Sequence, residues 1–138
     1  MDGNDYTNAL LDTFSMLESS GGKNPRANKY DKFKSRGEYQ LRPGAVEDVK
    51  KAFPEKWDKY NHAQITASPI LSREATKDYL QVLSKQLASY GVAPTIDALI
   101  AAYNAGARGV SEGKYNKDYL NKGLTLLKEN SSISPLEE

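Results

Sequence analysis

One carboxylate near the start of the chain is placed where a proton donor would be useful. Leu11, Phe14 and Glu18 are spaced three and four residues apart and share one face of a predicted helix. Gly21 and Gly22 follow and can supply the left-handed turn that ends this helix. Glu18 therefore falls in the last turn, where the helix dipole and the apolar neighbours both disfavour its anion. The sequence thus predicts a raised pKa for Glu18, which suits a general acid.

A glutamate at a helix end is, taken alone, more often a solvated surface residue than a catalytic acid. Two later stretches change the balance for Glu18. Residues 37–43 read Gly-Glu-Tyr-Gln-Leu-Arg-Pro, and residues 101–106 read Ala-Ala-Tyr-Asn-Ala-Gly. We interpret both as partners of Glu18 in one site.

Length and composition exclude several other kinds of site. The 138 residues carry 19 basic and 18 acidic side chains, so no charge imbalance drives binding to nucleic acid or to an anionic membrane. Without cysteine, and with one histidine, the chain offers no disulfide, no thiolate and no typical zinc site. No apolar run reaches the roughly 18 residues of a membrane span, and the acidic N-terminus is not a signal peptide. We expect no metal and no cofactor.

The elements that must position these residues are predicted to be helices. Glycine and proline separate segments of helical apolar period, and long alternating strands do not occur. We therefore predict a mainly α fold with little or no β-sheet, formed by one domain over residues 1–138, with a frayed tail at 131–138. The predicted helices cover residues 4–20, 43–53, 55–60, 72–90, 94–105 and 117–129, with loops at 21–36, 61–71 and 107–115.

Apolar spacing within these helices predicts which side chains face the core. Ser72 is expected to cap the longest helix, and Gly91 to end it. The predicted inward-facing sets are Ala45, Val49, Ala52 and Phe53; Tyr79, Leu80, Leu83, Leu87 and Tyr90; Ile96, Leu99, Ile100 and Tyr103; and Leu120, Leu124 and Leu127.

Three motifs, in this order along the chain, resemble those of the soluble lytic transglycosylases, whose catalytic domain is lysozyme-like. The first motif, Glu-Ser at a helix end followed by Asn-Pro, corresponds to Glu18 and Ser19 with Asn24 and Pro25. The second, Gly-Leu-Met-Gln with a nearby proline, corresponds to residues 37–43. The third, Ala-Tyr-Asn-Ala-Gly, is complete at residues 102–106.

The resemblance extends from about residue 10 to residue 125, and it includes departures. Tyr119 and Leu120 match a Tyr-Val-like pair of the final helix. Asn-Pro lies two residues further from the glutamate than is usual, and the serine expected soon after is replaced at residues 28–29 or displaced to Ser35. Leu-Met has become Glu38 and Tyr39, and Arg42 stands where the family often has methionine. The loop after Glu18 is therefore expected to be rebuilt.

The resemblance implies peptidoglycan as the substrate and its bond between N-acetylmuramic acid and N-acetylglucosamine as the bond that is cleaved. One carboxylic acid, mapped to Glu18, protonates the leaving oxygen, and the sugar's own 2-acetamido group relieves the positive charge. The same carboxylate then takes the proton of the muramic C6 hydroxyl, which closes a 1,6-anhydro ring. This route needs no protein nucleophile.

The same mapping implies substrate contacts for a further set of side chains. Tyr103 would adjoin Glu18, Asn104 would orient the substrate, and Tyr119 would line the cleft. Simpler roles remain open: core packing for the two tyrosines, a helix cap for Asn104 and a loop hydrogen bond for Gln40. The full set of expected substrate-binding residues is Gln40, Tyr103, Asn104, Tyr119, Ser35 and Tyr39.

Two other functions stay open at this point. If Glu38 lies across a cleft from Glu18 it could hold a water, as in goose-type lysozymes, and the outcome would be hydrolysis; the simpler reading is a loop carboxylate paired with a lysine or arginine. A catalytically silent wall-binding or virion module is the other alternative. The short chain resembles a phage wall-degrading protein, so we expect a monomer, carried in a virion or released on lysis, that acts on glycan strands of the bacterial wall.

Overall fold

The computed structural model describes residues 3–24 and 35–131, and these residues are mainly helical. The predicted mainly α class is confirmed. Within the two described ranges there is no sheet, and the extended pairing recorded there is a single bridge between Arg36 and Leu41. Residues 25–34 and 132–138, which contain Pro25, most of the basic loop and most of the predicted frayed tail, lie outside the described residues.

The described residues form eight helices in chain order. Most of their limits agree with the predicted ones to within three residues, as helix termini usually do. The helices are α1 Gly3–Ser19, α2 Pro43–Ala52, α3 Pro54–Trp57, α4 His62–Ala67, α5 Pro69–Ser89, α6 Ile96–Ala105, α7 Ala107–Ser111 and α8 Lys117–Ser131.

The segment predicted as a loop at residues 61–71 is instead the helix α4 and the first turn of α5. Asn61 and Gln64 close a capping box at the start of α4, with reciprocal hydrogen bonds of 2.8 and 2.9 Å. Pro69 begins α5, because a first-turn residue needs no N–H donor. The prediction that Ser72 caps this helix is wrong: Ser72 lies inside it and donates its hydroxyl to the Ser68 carbonyl at 2.7 Å.

The predicted loop at residues 107–115 is also partly helical, since α7 begins directly after Gly106. Gly106 adopts φ +84°, which ends α6 while its N–H still bonds the Ala102 carbonyl. The chain then re-enters a helix at once. The glycine was correctly predicted as the end of α6, but the pattern did not indicate that a short helix follows it.

The chain divides into two compact units, and α1 and α5 contribute residues to both. The first unit comprises Met1–Thr13 and Leu80–Glu138, and in it α6 packs against α7 and α8. The Asn130 side-chain amide donates to the Thr13 hydroxyl at 3.0 Å, so the end of α8 is fixed to α1. The prediction of one domain over residues 1–138 stays a prediction.

The second unit, Phe14–Tyr79, is built around a buried tryptophan. Trp57 is 1% exposed and its indole N–H donates to the Asp78 carboxylate at 2.7 Å. The Lys56 ammonium lies 3.0 Å from the same carboxylate. Partial burial alone would lower the pKa of Lys56, but its hydrogen bonds to Asp78 and Glu74 outweigh this effect and raise the pKa. The buried carboxylate is therefore both hydrogen-bonded and charge-paired.

Most predicted inward-facing leucines are buried, but α6 buries a different face, and two predicted core residues at helix ends are exposed. On α6 the fully buried residues are Ile100 and a group of alanines, while Tyr103 is half-buried. Small side chains let α6 approach α7 and α8 closely, so packing favoured the alanine face over the larger residues. Tyr90 is 50% exposed and Ala52 is exposed, so both inward predictions are wrong. Both residues lie at helix ends, beyond the last buried turn.

Tyr79 provides a test of the second unit's stability against pH. Burial, with a smaller contribution from the Asp48 carboxylate that Arg42 partly offsets, raises the pKa of Tyr79 to about 12. The unfolded chain ionises tyrosine near the ordinary value of about 10, so the stability linked to the neutral phenol is present below pH 10. It is lost as pH rises from about 10 to about 12.

We therefore expect urea unfolding of the wild type to show a steeper loss of stability between pH 9.5 and 11.5 than unfolding of Tyr79→Phe. Comparing the two chains removes the contribution of lysines, which titrate over the same range. Equal slopes for the two chains would contradict the raised pKa of Tyr79.

Within residues 3–24 and 35–131, none of the helices combines the length and the apolar character needed to cross a bilayer.

Candidate functional site

The end of α1 carries Glu18 in its last turn, as the sequence predicts. The helix ends at Ser19. Phe14, one turn before Glu18, is 0% exposed, whereas Glu18 itself is half-buried. Gly21 and Gly22 adopt φ +77° and +88°, so the predicted left-handed turn is confirmed. The Gly21 N–H bonds the Ser15 carbonyl at 3.1 Å, which closes the helix end.

Residues 37–40 of the second motif form a tight turn between the bridged residues Arg36 and Leu41. Gly37 adopts φ +83° and Gln40 adopts φ +49°, so the turn has a left-handed residue at each end. Both the backbone N–H and the side-chain amide of Gln40 donate to the Gly37 carbonyl, at 3.2 and 2.8 Å. The glutamine side chain therefore helps to close the turn in which it lies.

Helix α4 packs against this turn and the residue that follows it. A methyl carbon placed on Gly37 would lie 2.5 Å from the Thr66 carbonyl oxygen, so the turn backbone touches the helix there. His62, the single histidine of the chain, has Nε2 2.7 Å from the Leu41 carbonyl oxygen. Because a carbonyl oxygen only accepts, Nε2 carries the proton and donates. The histidine is a structural donor to the turn.

The first two motifs are joined directly. The Ser19 hydroxyl donates to the Glu38 backbone carbonyl at 2.6 Å and accepts from the Gly22 N–H at 2.9 Å. The Ser15 hydroxyl donates to the Glu38 carboxylate at 2.6 Å. The turn of the second motif is thus fastened to the same helical turns that carry Glu18. Within the described residues the Glu38 carboxylate bonds a serine, and its expected pairing with a lysine or arginine stays a prediction.

Three of the expected substrate-binding residues are buried in this unit. Tyr39 is 1% exposed and its hydroxyl accepts from the Arg73 guanidinium at 2.9 Å. Ser35 is 3% exposed and Gln40 is 5% exposed. Direct contact of Tyr39 with a glycan is therefore not supported, because its ring faces the core. Ser35 and Gln40 are buried as well, Gln40 within the turn and Ser35 just before it, and their substrate contacts stay predictions.

The third motif lies on α6, in the other unit. Tyr103 is half-buried and Asn104 is exposed in the last turn of this helix, while the cap is made by the Gly106 N–H. Among the residues that the structure describes, the Asn104 side chain makes no hydrogen bond, so it does not cap the helix. Tyr119 is half-buried in the first turn of α8, where its N–H bonds the Asn116 side chain at 3.0 Å.

Ser15 is the residue that sequence reasoning missed. It is 5% exposed and four residues before Ser19, so two buried hydroxyls lie on one face of α1. Two serines spaced four apart inside an apolar helix face are a signal that a polar group docks there. No group of three histidine, aspartate or glutamate side chains within the described ranges could hold a metal ion.

Comparisons with models of protein families, with curated proteins and with solved structures gave no match to this chain.

Proposed function

We propose that this chain is a peptidoglycan lytic transglycosylase in which Glu18 is the general acid and then the general base. The proposal is supported by the ordered three-motif resemblance and by one structural observation. The second motif is bonded to the final turns of the helix that bears Glu18, through Ser19 and Ser15. The second motif, about 20 residues further along the chain, is thus hydrogen-bonded to the helix end that carries Glu18, where the proposed chemistry needs a positioned acid.

In the proposed reaction Glu18 begins protonated. It donates its proton to the glycosidic oxygen, the bond from that oxygen to muramic C1 breaks, and the acetamido oxygen of the same sugar bonds to C1. The Glu18 carboxylate then removes the proton of the C6 hydroxyl, whose oxygen attacks C1 and displaces the acetamido oxygen. The acid is regenerated and no water is consumed, so one carboxylate is sufficient.

The position of Glu18 suits this cycle physically. Glu18 is half-buried in the last turn of α1, at the helix C-terminus where the sequence predicts the proton donor. Asn104 is exposed, and its contact with the glycan stays a prediction of the resemblance. The proposed substrate places the site of action at the bacterial wall.

Identification of the product sugar's end group tests the proposal. Purified peptidoglycan is digested with the full chain, reduced with borohydride and analysed by mass spectrometry. Transglycosylation gives 1,6-anhydro ends, which are lighter than reducing ends by one water and resist borohydride. We expect anhydro ends with the wild type and none above background with Glu18→Gln. Intact glycan strands after prolonged digestion would contradict the enzymatic proposal and favour a silent wall-binding module.

Hydrolysis is the second candidate, favoured by the position of Glu38. Its carboxylate bonds the hydroxyl of Ser15, three residues before Glu18, so two carboxylates are associated with the same helix end. An inverting hydrolase needs such a pair, about 6.5–9.5 Å apart, with a water between them. Ends that borohydride reduces, lost in both Glu18→Gln and Glu38→Gln, would establish this outcome instead.

A further inference from the structure

Two hydroxyls of α1 donate to one residue of the neighbouring turn. The Ser15 hydroxyl bonds the carboxylate of Glu38 and the Ser19 hydroxyl bonds its backbone carbonyl, both at 2.6 Å. We propose that Glu38 is a positioning residue, which anchors the last turn of α1 and through it Glu18. Because it concerns how Glu18 is held for catalysis, this inference rests on the proposed function.

The burial of the two serines makes this contact strong. Ser15 is 5% exposed and Ser19 is 2% exposed, so a hydroxyl that lost its partner would have little access to bulk water. A hydrogen bond to a charged acceptor in such surroundings is stronger than one between neutral groups. Ser19 would keep its backbone acceptor if Glu38 were replaced, whereas Ser15 would lose its carboxylate. The side chain of Glu38 therefore acts chiefly through Ser15.

Glu38 also contacts the residues that follow the helix. The atoms nearest to a methyl carbon placed on Gly22 are Glu38 Cγ, Cδ and Oε1, each at 3.5 Å. One face of the side chain thus covers Gly22 while its other carboxylate oxygen holds Ser15. Glu38 thus contacts residue 15 and approaches residue 22, and Glu18 lies between these two residues in the sequence.

The end of α1 has a backbone that needs such support. Ser20, Gly21 and Gly22 follow one another with φ of +55°, +77° and +88°. Ser20 is not glycine, so its left-handed conformation is disfavoured unless surrounding contacts determine it. Helix termini are also the parts of a helix that open most readily. A general acid in this turn would lose its alignment whenever the turn opened.

Within the ranges 3–24 and 35–131 the Glu38 carboxylate forms no ion pair, so attraction to a cation there does not account for its position. A solubilising surface glutamate would extend into water, whereas this carboxylate turns toward a buried serine. The residue also replaces the leucine that the resemblance would place at this position. The anchoring contact is therefore a feature of this chain and is not part of the motif.

The experiment compares Glu38→Ala, Glu38→Gln and the matched control Glu47→Ala, which changes an exposed glutamate of α2. Amide hydrogen exchange of residues 17–22 is measured by NMR, with α6 as internal reference, and kcat and KM are measured on glycan fragments. For Glu38→Ala we expect exchange of these amides to be about 10-fold faster and kcat about 10-fold lower, with KM nearly unchanged. Glu38→Gln retains an acceptor oxygen and should recover most of both losses.

Ser15→Ala removes the same hydrogen bond from the helix side and should reproduce the result, which provides a second variant if Glu38→Ala folds poorly. Unchanged exchange at residues 17–22 in both alanine variants would overturn the anchoring, whatever the activity. Faster exchange with unchanged kcat would overturn the link to Glu18. A wild type that cleaves no peptidoglycan would refute the proposed function, and the exchange data would still decide whether Glu38 anchors the helix end.

Discussion

Glu18→Gln is expected to lower the rate of peptidoglycan cleavage by about 10³-fold or more, because the glutamine amide is too weak an acid to protonate the leaving oxygen and too weak a base to remove the C6 hydroxyl proton. The proposed cycle uses the same carboxyl group twice, first as acid and then as base, so both chemical steps are impaired. Glutamine keeps the shape and the hydrogen-bonding capacity of the side chain. The loss should therefore appear in kcat, with KM changed little.

Three measurements separate this effect from damage to the fold. The thermal midpoint of Glu18→Gln should stay close to that of the wild type. Glu47→Gln, which alters an exposed glutamate on α2, should retain activity within about twofold. Glu18→Asp keeps the acid but withdraws it by one methylene, so an intermediate rate is expected. Full activity in Glu18→Gln would remove Glu18 from the mechanism and leave the chain without its proposed acid.

The features that sequence could predict are those set by residues close together in the chain. Phe14, Glu18 and Gly21 lie within eight residues, so helical period and glycine chemistry were enough to place the acid in the last turn. The class of the fold was predictable for the same reason, since each helix carries its own period. The predicted loop at residues 61–71 is wrong because Asn61 and Gln64 form a capping box, which starts a helix there.

Features that depend on packing were not predictable in this way. On α6, Leu99 and Tyr103 fit the apolar period as well as the buried alanines do, and only the close approach of α7 and α8 decides between the two faces. The bond from Ser15 to Glu38 joins residues 23 apart, through a side chain that looks like ordinary helix surface. For Tyr39, similarity to a binding motif suggested substrate contact, but its position in the turn directs the ring into the core.

The turn of the second motif needs a residue without a side chain at position 37, and the stability of the second unit depends on this. We expect Gly37→Ala to lower the free energy of unfolding by about 3 kcal/mol, and Tm by about 10 °C. Two costs combine: alanine is disfavoured at φ +83°, and its methyl carbon would lie 2.5 Å from the Thr66 carbonyl oxygen. The added methyl carbon is attached directly to the backbone of the turn, and the oxygen it meets belongs to the backbone of α4. The clash can therefore be relieved only by moving the turn or α4.

Two other glycines serve as matched controls for the two costs. Gly91 has φ +77° with open space around it, so Gly91→Ala should show only the conformational cost, about 1–2 kcal/mol. Gly44 lies exposed in α2, also with open space, and Gly44→Ala should be neutral or stabilising by up to about 1 kcal/mol. Urea unfolding of the three variants ranks the effects. If Gly37→Ala cost no more than Gly91→Ala, the close packing of the turn on α4 would be refuted, since that contact predicts the difference between them.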